Sequence, residues 1–420
     1  MKNILEQEIL MALGCTEPIA VALCAATAYN IIGGEKIKSV ICLANSNIIK
    51  NATSVYIPNT DGLYGMKSAV AAGIISNEPE LKMELLKNLN SEKVKKIKFL
   101  LEKEIIKVSP YKTDKSIYID VTVKTENGVG QCIVENSHSN ISLIRKNDEI
   151  VYSKEKTEEK IGSFLDYSIL NLESIYNYIN TVHISELDII KKSIEVNKEI
   201  CNEGLKGNYG LSVAKDLEKN SFSELFNSNA LNNAIKNTVA GTDARMAGCN
   251  LPAMSNSGSG NQGIATTMPV VAYGESRNIC EEKLIRGAAL SNLVTIYIKT
   301  NLGRLSSLCG AVNASAGSSC GIVYLNDGTV EQMEKAINNV IGNIAGMFCD
   351  GAKAGCGLKV ATGTFVSVLS AHRALEGSGI NSTDGIVGKN IDETLENYGR
   401  ISKYGLKELD NILLDIMVKK

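Results

Sequence analysis

Between about residues 94 and 153 the apolar period of this 420-residue chain changes, and that change restricts the fold more than any other feature. The segments "SIYIDVTVKT", "GVGQCIVEN" and "ISLIRKNDEIVYS" alternate apolar and polar side chains around Gly or Asn-Asp turns, as strands with one face in water do. They predict a small sheet, partly solvent-facing. On either side the pattern is mostly helical. Residues 2–13 and 18–32 read as two helices broken at "GCTEP", where Gly14 marks a stop and Pro18 a restart. "IKSVICLA" and "SVYIP" are short and β-prone, and Pro58 with "NTDG" supplies a turn. The run 78–105 reads as solvated helices, and from Glu155 onward the reading is helical, interrupted by glycine-rich loops. The expected fold class is therefore α+β: a mainly helical lobe with a small α/β lobe inserted at 76–155. A chain of this length has room for more than one lobe.

Charge narrows the function. The formal net charge is -2 with Lys and Glu interspersed, which leaves no basic stripe for nucleic acid or an anionic membrane. The opening "MKNILEQEIL" has acidic residues where an export leader needs basic ones, and the most apolar run, Ile19 to Ile32, contains Thr27 and Asn30 and is too short to span a bilayer. It reads as a buried helix in a cytoplasmic protein. In that compartment eleven cysteines are not a disulfide framework. Cys24, Cys42, Cys132 and Cys201 have apolar neighbours and read as small core residues.

The remaining cysteines lie where glycine is dense: 12 of the 36 glycines fall in residues 1–210 and 24 in residues 211–420. In "GMFCDGAKAGCGLKV", Cys349 and Cys356 stand on little side-chain bulk, as thiolates must if a loop is to bend around an inorganic cluster; "GRLSSLCG" offers Cys309 as a third thiol. The same pair also fits two core cysteines in glycine-rich helix packing. It is not the CxxC pattern of structural zinc, and three scattered histidines do not make a histidine zinc site; of these only His138 has polar company. Three thiolates rather than four would leave one iron of a cluster open, as a Lewis acid.

Two further stretches carry candidate chemistry. "SNSGSGNQG" sets Ser255, Asn256, Ser257, Ser259, Asn261 and Gln262 among glycines, a dense array of donors and acceptors suited to a small charged ligand such as an amino-acid carboxylate. Its spacing is not that of a dinucleotide fingerprint. Cys15, in "LGCTEPIA", precedes a helix start, where the dipole would lower its pKa and make it a base or nucleophile; a buried structural cysteine fits the same place. Glu17 suits the same helix start or a substrate hydrogen bond. Asn45, Asn47, Lys50 and Asn51, ahead of Thr60, are a polar set that lines either a site or a surface loop.

Taken together, "GCTEP", "NIIKN" with "IPNT", "SGSGNQG", "GRLSSLCG" and "CDGAKAGC" resemble the L-cysteine desulfidase family, which is related to the catalytic chain of iron–sulfur-dependent L-serine dehydratases. The resemblance runs from about residue 10 to residue 375. It implies a [4Fe-4S] enzyme, without pyridoxal phosphate, that splits L-cysteine into sulfide, ammonia and pyruvate by base-assisted β-elimination at an open iron. Carried over by motif, Cys309, Cys349 and Cys356 would hold the cluster and Cys15 would be the base. The 255–263 loop, with Asn47 and Asn51, would bind the amino acid. Cys320 is a rival third ligand, and no role transfers to Lys353 or Arg304. L-Serine dehydratase activity is the neighbouring alternative, and a non-catalytic sensor that binds an amino acid or reports redox state through a cluster is a more distant one. On this reading 1–75 and 156–420 form the helical catalytic domain with the iron–sulfur site and 76–155 the small α/β domain. Glycine-rich helices around a buried cluster often reach a subunit interface, so the expected partners are a small-molecule amino-acid substrate and, as a plausible assembly, further copies of the chain, with no nucleic acid and no membrane.

Overall fold

The structure is a computed structural model; it describes all residues except 35, 116, 155–164, 219–227, 303–305, 407 and 420. The fold is α+β, with a mixed six-stranded sheet beside a helical assembly. In the sheet the strands run in the order Ile106–Pro110, Ile37–Ala44, Tyr118–Thr125, Gly128–Glu135, Ile141–Lys146 and Glu149–Ser153. Only the first pair is parallel. Alternation sets the register: Cys42 stands opposite Val121 and Val121 opposite Cys132, and this face is buried. Helices Thr16–Asn30 and Gly65–Ser76 share a core with that face, and Cys24 donates its thiol proton to the Cys132 carbonyl at 3.1 Å. The apolar segment after Pro18 is thus a buried helix. The core on the sheet draws on residues 19–134, more than the alternating segment alone.

The helical assembly is built around Gly310–Leu325, in which every residue from Ala311 to Leu325 is buried. Helices Gly260–Ser276, Glu281–Leu302, Val330–Ile344 and Cys356–Leu375 surround it. Its composition, "GAVNASAGSSCGIVYL", is what close approach requires: a Cβ on Gly317 would lie 2.0 Å from Thr295 Oγ1. Cys320 lies on this helix, fully buried, with Sγ 3.6 Å from the Met333 carbonyl, and burial raises its pKa; it is a core thiol and no rival ligand. Among the described residues no helix is long and apolar enough to cross a membrane.

Locally the sequence reading needs three corrections. The expected helix 2–13 is a helix only over Lys2–Glu8; Met11–Leu13 is a strand pairing antiparallel with Pro252–Met254. Tertiary pairing overrides the helical pattern there and sets the start of the chain against the segment leading into the 255–263 loop. "SVYIP" forms no strand beyond a bridge between Tyr56 and Tyr64. "SNIIKNA" is a short helix, Ser46–Ala52, capped by Asn45, whose Oδ1 accepts from the Ile48 amide.

Candidate functional site

Four helices begin at the wall of one cavity of about 420 Å³, with Cys15, Ser259 and Cys309 as N-cap residues and Cys356 as the first residue of the fourth. Unsatisfied amides and the positive ends of four helix dipoles therefore border the space, an environment that favours thiolates and carboxylates. The small sheet also reaches it, through the turn after Gly128–Glu135 that carries Asn136, Ser137, His138 and Ser139.

Cys309, Cys349 and Cys356 all line this cavity. Two backbone hydrogen bonds clasp the loops of the first two: Cys309 N donates to the Met347 carbonyl at 2.9 Å and Cys349 N to the Ser307 carbonyl at 2.7 Å, around a bridge between Leu308 and Phe348. Gly351 turns the loop between Cys349 and Cys356 with φ +92°, and a Cβ there would sit 2.4 Å from the Lys50 carbonyl oxygen. All eleven cysteines are free; these three are partly exposed, whereas Cys24, Cys42, Cys132, Cys201, Cys249 and Cys320 are buried core thiols. Burial, then the nearby Cys349, pushes Cys309 up to about 12 and raises Cys356 as well, so without metal these two stay protonated.

The donor set fits an iron–sulfur cluster. Among the described residues no three His, Cys, Asp or Glu side chains close on one metal ion. A polynuclear core, by contrast, takes ligands spread around a cavity and deprotonates thiols outright on binding. The thiols here stand on loops with little bulk, face a shared space, and have Lys299 and Lys359 on the same wall. Lys359 is paired to Asp350 at 2.5 Å, Lys353 is paired to the same carboxylate, and against the opposing effect of burial these two cations hold Asp350 at about 2. Lys353 is thus committed within its own loop. Arg304 lies outside the described residues.

In the same cavity, Cys15 is buried and donates to Glu17 Oε2 at 3.0 Å; Thr16 Oγ1 donates to the same oxygen at 3.1 Å, and Asn51 Nδ2 to Glu17 Oε1 at 3.0 Å. The helix start was expected to lower the Cys15 pKa. Burial, followed by the negative Glu17, raises it well above the usual thiol range instead. Burial also works against the charged form of Glu17, but His138, the Cys15 hydrogen bond and Arg245 outweigh it and keep Glu17 a carboxylate. At rest the proton of this pair is on sulfur.

The 255–263 loop wraps the adjoining wall. Ser255, Ser257, Ser259, Asn261 and Gln262 line the cavity, while Asn256 is fully buried behind them, donating to Asn292 Oδ1 at 2.9 Å and accepting from Gln262 Nε2 at 3.1 Å. Asn256 thus braces the loop. Asn51 reaches the wall; Asn47, one turn earlier on the same short helix, does not. Asn45, Lys50 and Thr60 are structural: a helix cap, a buried ion pair with Asp410, and a hydroxyl on the Ile57 carbonyl.

Sequence reasoning missed Arg245 and Lys299. Arg245 Nη2 donates to the Gly14 carbonyl at 2.7 Å and Nη1 to Asn261 Oδ1 at 2.9 Å, which ties the Cys15 turn to the loop. The signal for both was a lone cation in a small or apolar run, "VAGTDARMAG" and "LVTIYIKTNL".

Residues 80–415 match the family described as serine dehydratase alpha chain. Curated relatives align along almost the whole chain. A Clostridium perfringens UPF0597 protein is 40% identical over 99% of this chain and 97% of its own length. One from Fusobacterium nucleatum is 39% identical over 99% and 98%, and one from Treponema denticola 37% identical over 99% and 97%.

Proposed function

From the premise that the chain belongs to the serine dehydratase alpha chain family, whose members are lyases and generally iron–sulfur-dependent, we propose that it is a [4Fe-4S]-dependent L-cysteine desulfidase acting without pyridoxal phosphate. The observation that carries this reading is a single cavity lined by Cys309, Cys349 and Cys356 together with the Cys15–Glu17 pair. Held by those three thiols, a cluster supplies one iron with an open position, a Lewis acid that makes a β-substituent a better leaving group.

The chain's own residues do the rest. Ser257, Ser259, Asn261 and Gln262 offer hydroxyls and amides to the amino acid's polar groups. As a thiolate Cys15 takes the α-proton of the substrate, and Glu17, which accepts the thiol hydrogen bond at rest, orients the sulfur. Elimination breaks Cα–H and Cβ–S, sulfur leaving with the bonding pair, and forms the Cα=Cβ bond of aminoacrylate; water then releases ammonia and pyruvate. Arg245 and Asn51 hold the Cys15 turn and the Glu17 carboxylate in place.

Serine differs from cysteine at one atom, and the family description favours it as the second reading. Anaerobic assays of the reconstituted protein separate the two: sulfide released from L-cysteine faster than pyruvate from L-serine supports the desulfidase, the reverse order makes the protein a serine dehydratase, and turnover of neither favours a sensor.

A further inference from the structure

Among the described residues, three Lys or Arg side chains line the cavity: Arg245, Lys299 and Lys359. Arg245 is committed to the Gly14 carbonyl and Asn261, and Lys359 to Asp350 and the Phe348 carbonyl at 2.8 Å. Lys299 is different. It projects from the last turn of Glu281–Leu302, partly buried, and among the described residues it has neither an ion pair nor a hydrogen bond. The groups acting on it electrostatically are Cys349, Cys309 and Glu8, of which Glu8 is engaged by the Tyr167 hydroxyl. An ammonium partly withdrawn from water without an ion pair or hydrogen bond is costly, and the cost is recovered when an anion pairs with it.

Resting on the amino-acid lyase reading above, we infer that Lys299 is the carboxylate anchor of the site: its ammonium pairs with the substrate's α-carboxylate and so selects free α-amino acids over their esters, amides and decarboxylated amines. The placement suits this role. Lys299 lines the cavity together with Cys309, Cys349 and Cys15, so the β-substituent, α-hydrogen and carboxylate of a three-carbon amino acid each have a group of matching chemistry within one cavity. A charge-assisted hydrogen bond of this kind is worth about 1.5–3 kcal/mol, roughly 10–100-fold in affinity.

Calorimetric titration of reconstituted protein with L-alanine and with L-alaninamide tests the assignment, since neither probe can eliminate. The wild type is expected to bind L-alanine about 10–100-fold more tightly. Lys299→Met should bring L-alanine down to the L-alaninamide level, Lys299→Arg should restore most of the preference, and iron and sulfide content should be unchanged in both. A Lys299→Met protein that keeps the preference overturns the inference, because the carboxylate is then held elsewhere. So does loss of iron and sulfide on that substitution, which would make Lys299 a counter-charge for the thiolates, and so does a wild type that does not distinguish the probes. Sulfide release from L-cysteine by the wild type is measured separately; its absence would remove the desulfidase reading while leaving the carboxylate preference as an independent result.

Discussion

Cys15 and Glu17 divide a task that the sequence suggested for Cys15 alone. The helix N-terminus is where it was expected, yet its dipole is outweighed by burial and by a carboxylate on the thiol proton. Contact between residues two apart was within reach of sequence reasoning; the burial that reverses the pKa was not, because it comes from the distant Val55 and Met246. Cys15→Ala and Glu17→Gln should each retain iron and sulfide and lose turnover by about 100-fold or more, the range of a missing general base, in anaerobic assays. A second residue-scale expectation concerns His372, whose Nε2 meets the Tyr273 hydroxyl at 3.0 Å. Burial, then Arg277, lowers its pKa from 6.5, against Glu376. The unfolded chain therefore takes up the proton first as pH falls, so this contribution to stability is complete above about pH 6.5 and declines below it. Denaturation midpoints between pH 7.5 and 5.5 should fall less steeply in His372→Gln than in the wild type.

At the scale of elements, the C-terminal helix Leu409–Val418 is fastened to the short helix Ser46–Ala52 by Asp410, which meets the buried Lys50 ammonium at 2.5 Å. Lys50 precedes Asn51, the donor to Glu17, and its carbonyl lies against Gly351 in the thiol loop, so the pair supports two walls of the cavity. Asp410→Ala leaves a buried cation without its partner and should cost about 3–5 kcal/mol in chemical denaturation. Lys50→Met combined with Asp410→Leu should cost much less, since no charge is then stranded. The strands of 118–153 were legible because a two-residue period persists over a whole element, and the helix after Pro18 because an apolar run too long for a strand follows a helix-start signal. Residues 11–13 and 46–52 were not, because three to seven residues hold too little period to outweigh pairing with Pro252–Met254 or a cap from Asn45.

For the whole molecule, the sequence reading named ten of the residues that line the cavity: Cys15, Asn51, five residues of the 255–263 loop and the three thiols. Glycine density marked those loops locally. Arg245 and Lys299 escaped because a charge on a helix ordinarily faces water, and only the convergence of distant helices turns these two inward. Fragments test the expected division into 1–75 with 156–420 and a separate 76–155 against the extent of the sheet and its core. The sheet takes its second strand from Ile37–Ala44, so a fragment of residues 76–155 should remain unfolded by circular dichroism, whereas residues 15–154 should show cooperative melting. The claim on which the account turns is that three thiols hold a cluster with one iron open to substrate. Mössbauer spectra of protein reconstituted with isotopically enriched iron, recorded with and without L-cysteine, address it directly. About one iron in four should change its isomer shift when L-cysteine is added, and Cys349→Ser or Cys356→Ser should retain little of the cluster signal. Iron that is unaffected by L-cysteine, or a full cluster signal in both serine variants, would contradict it.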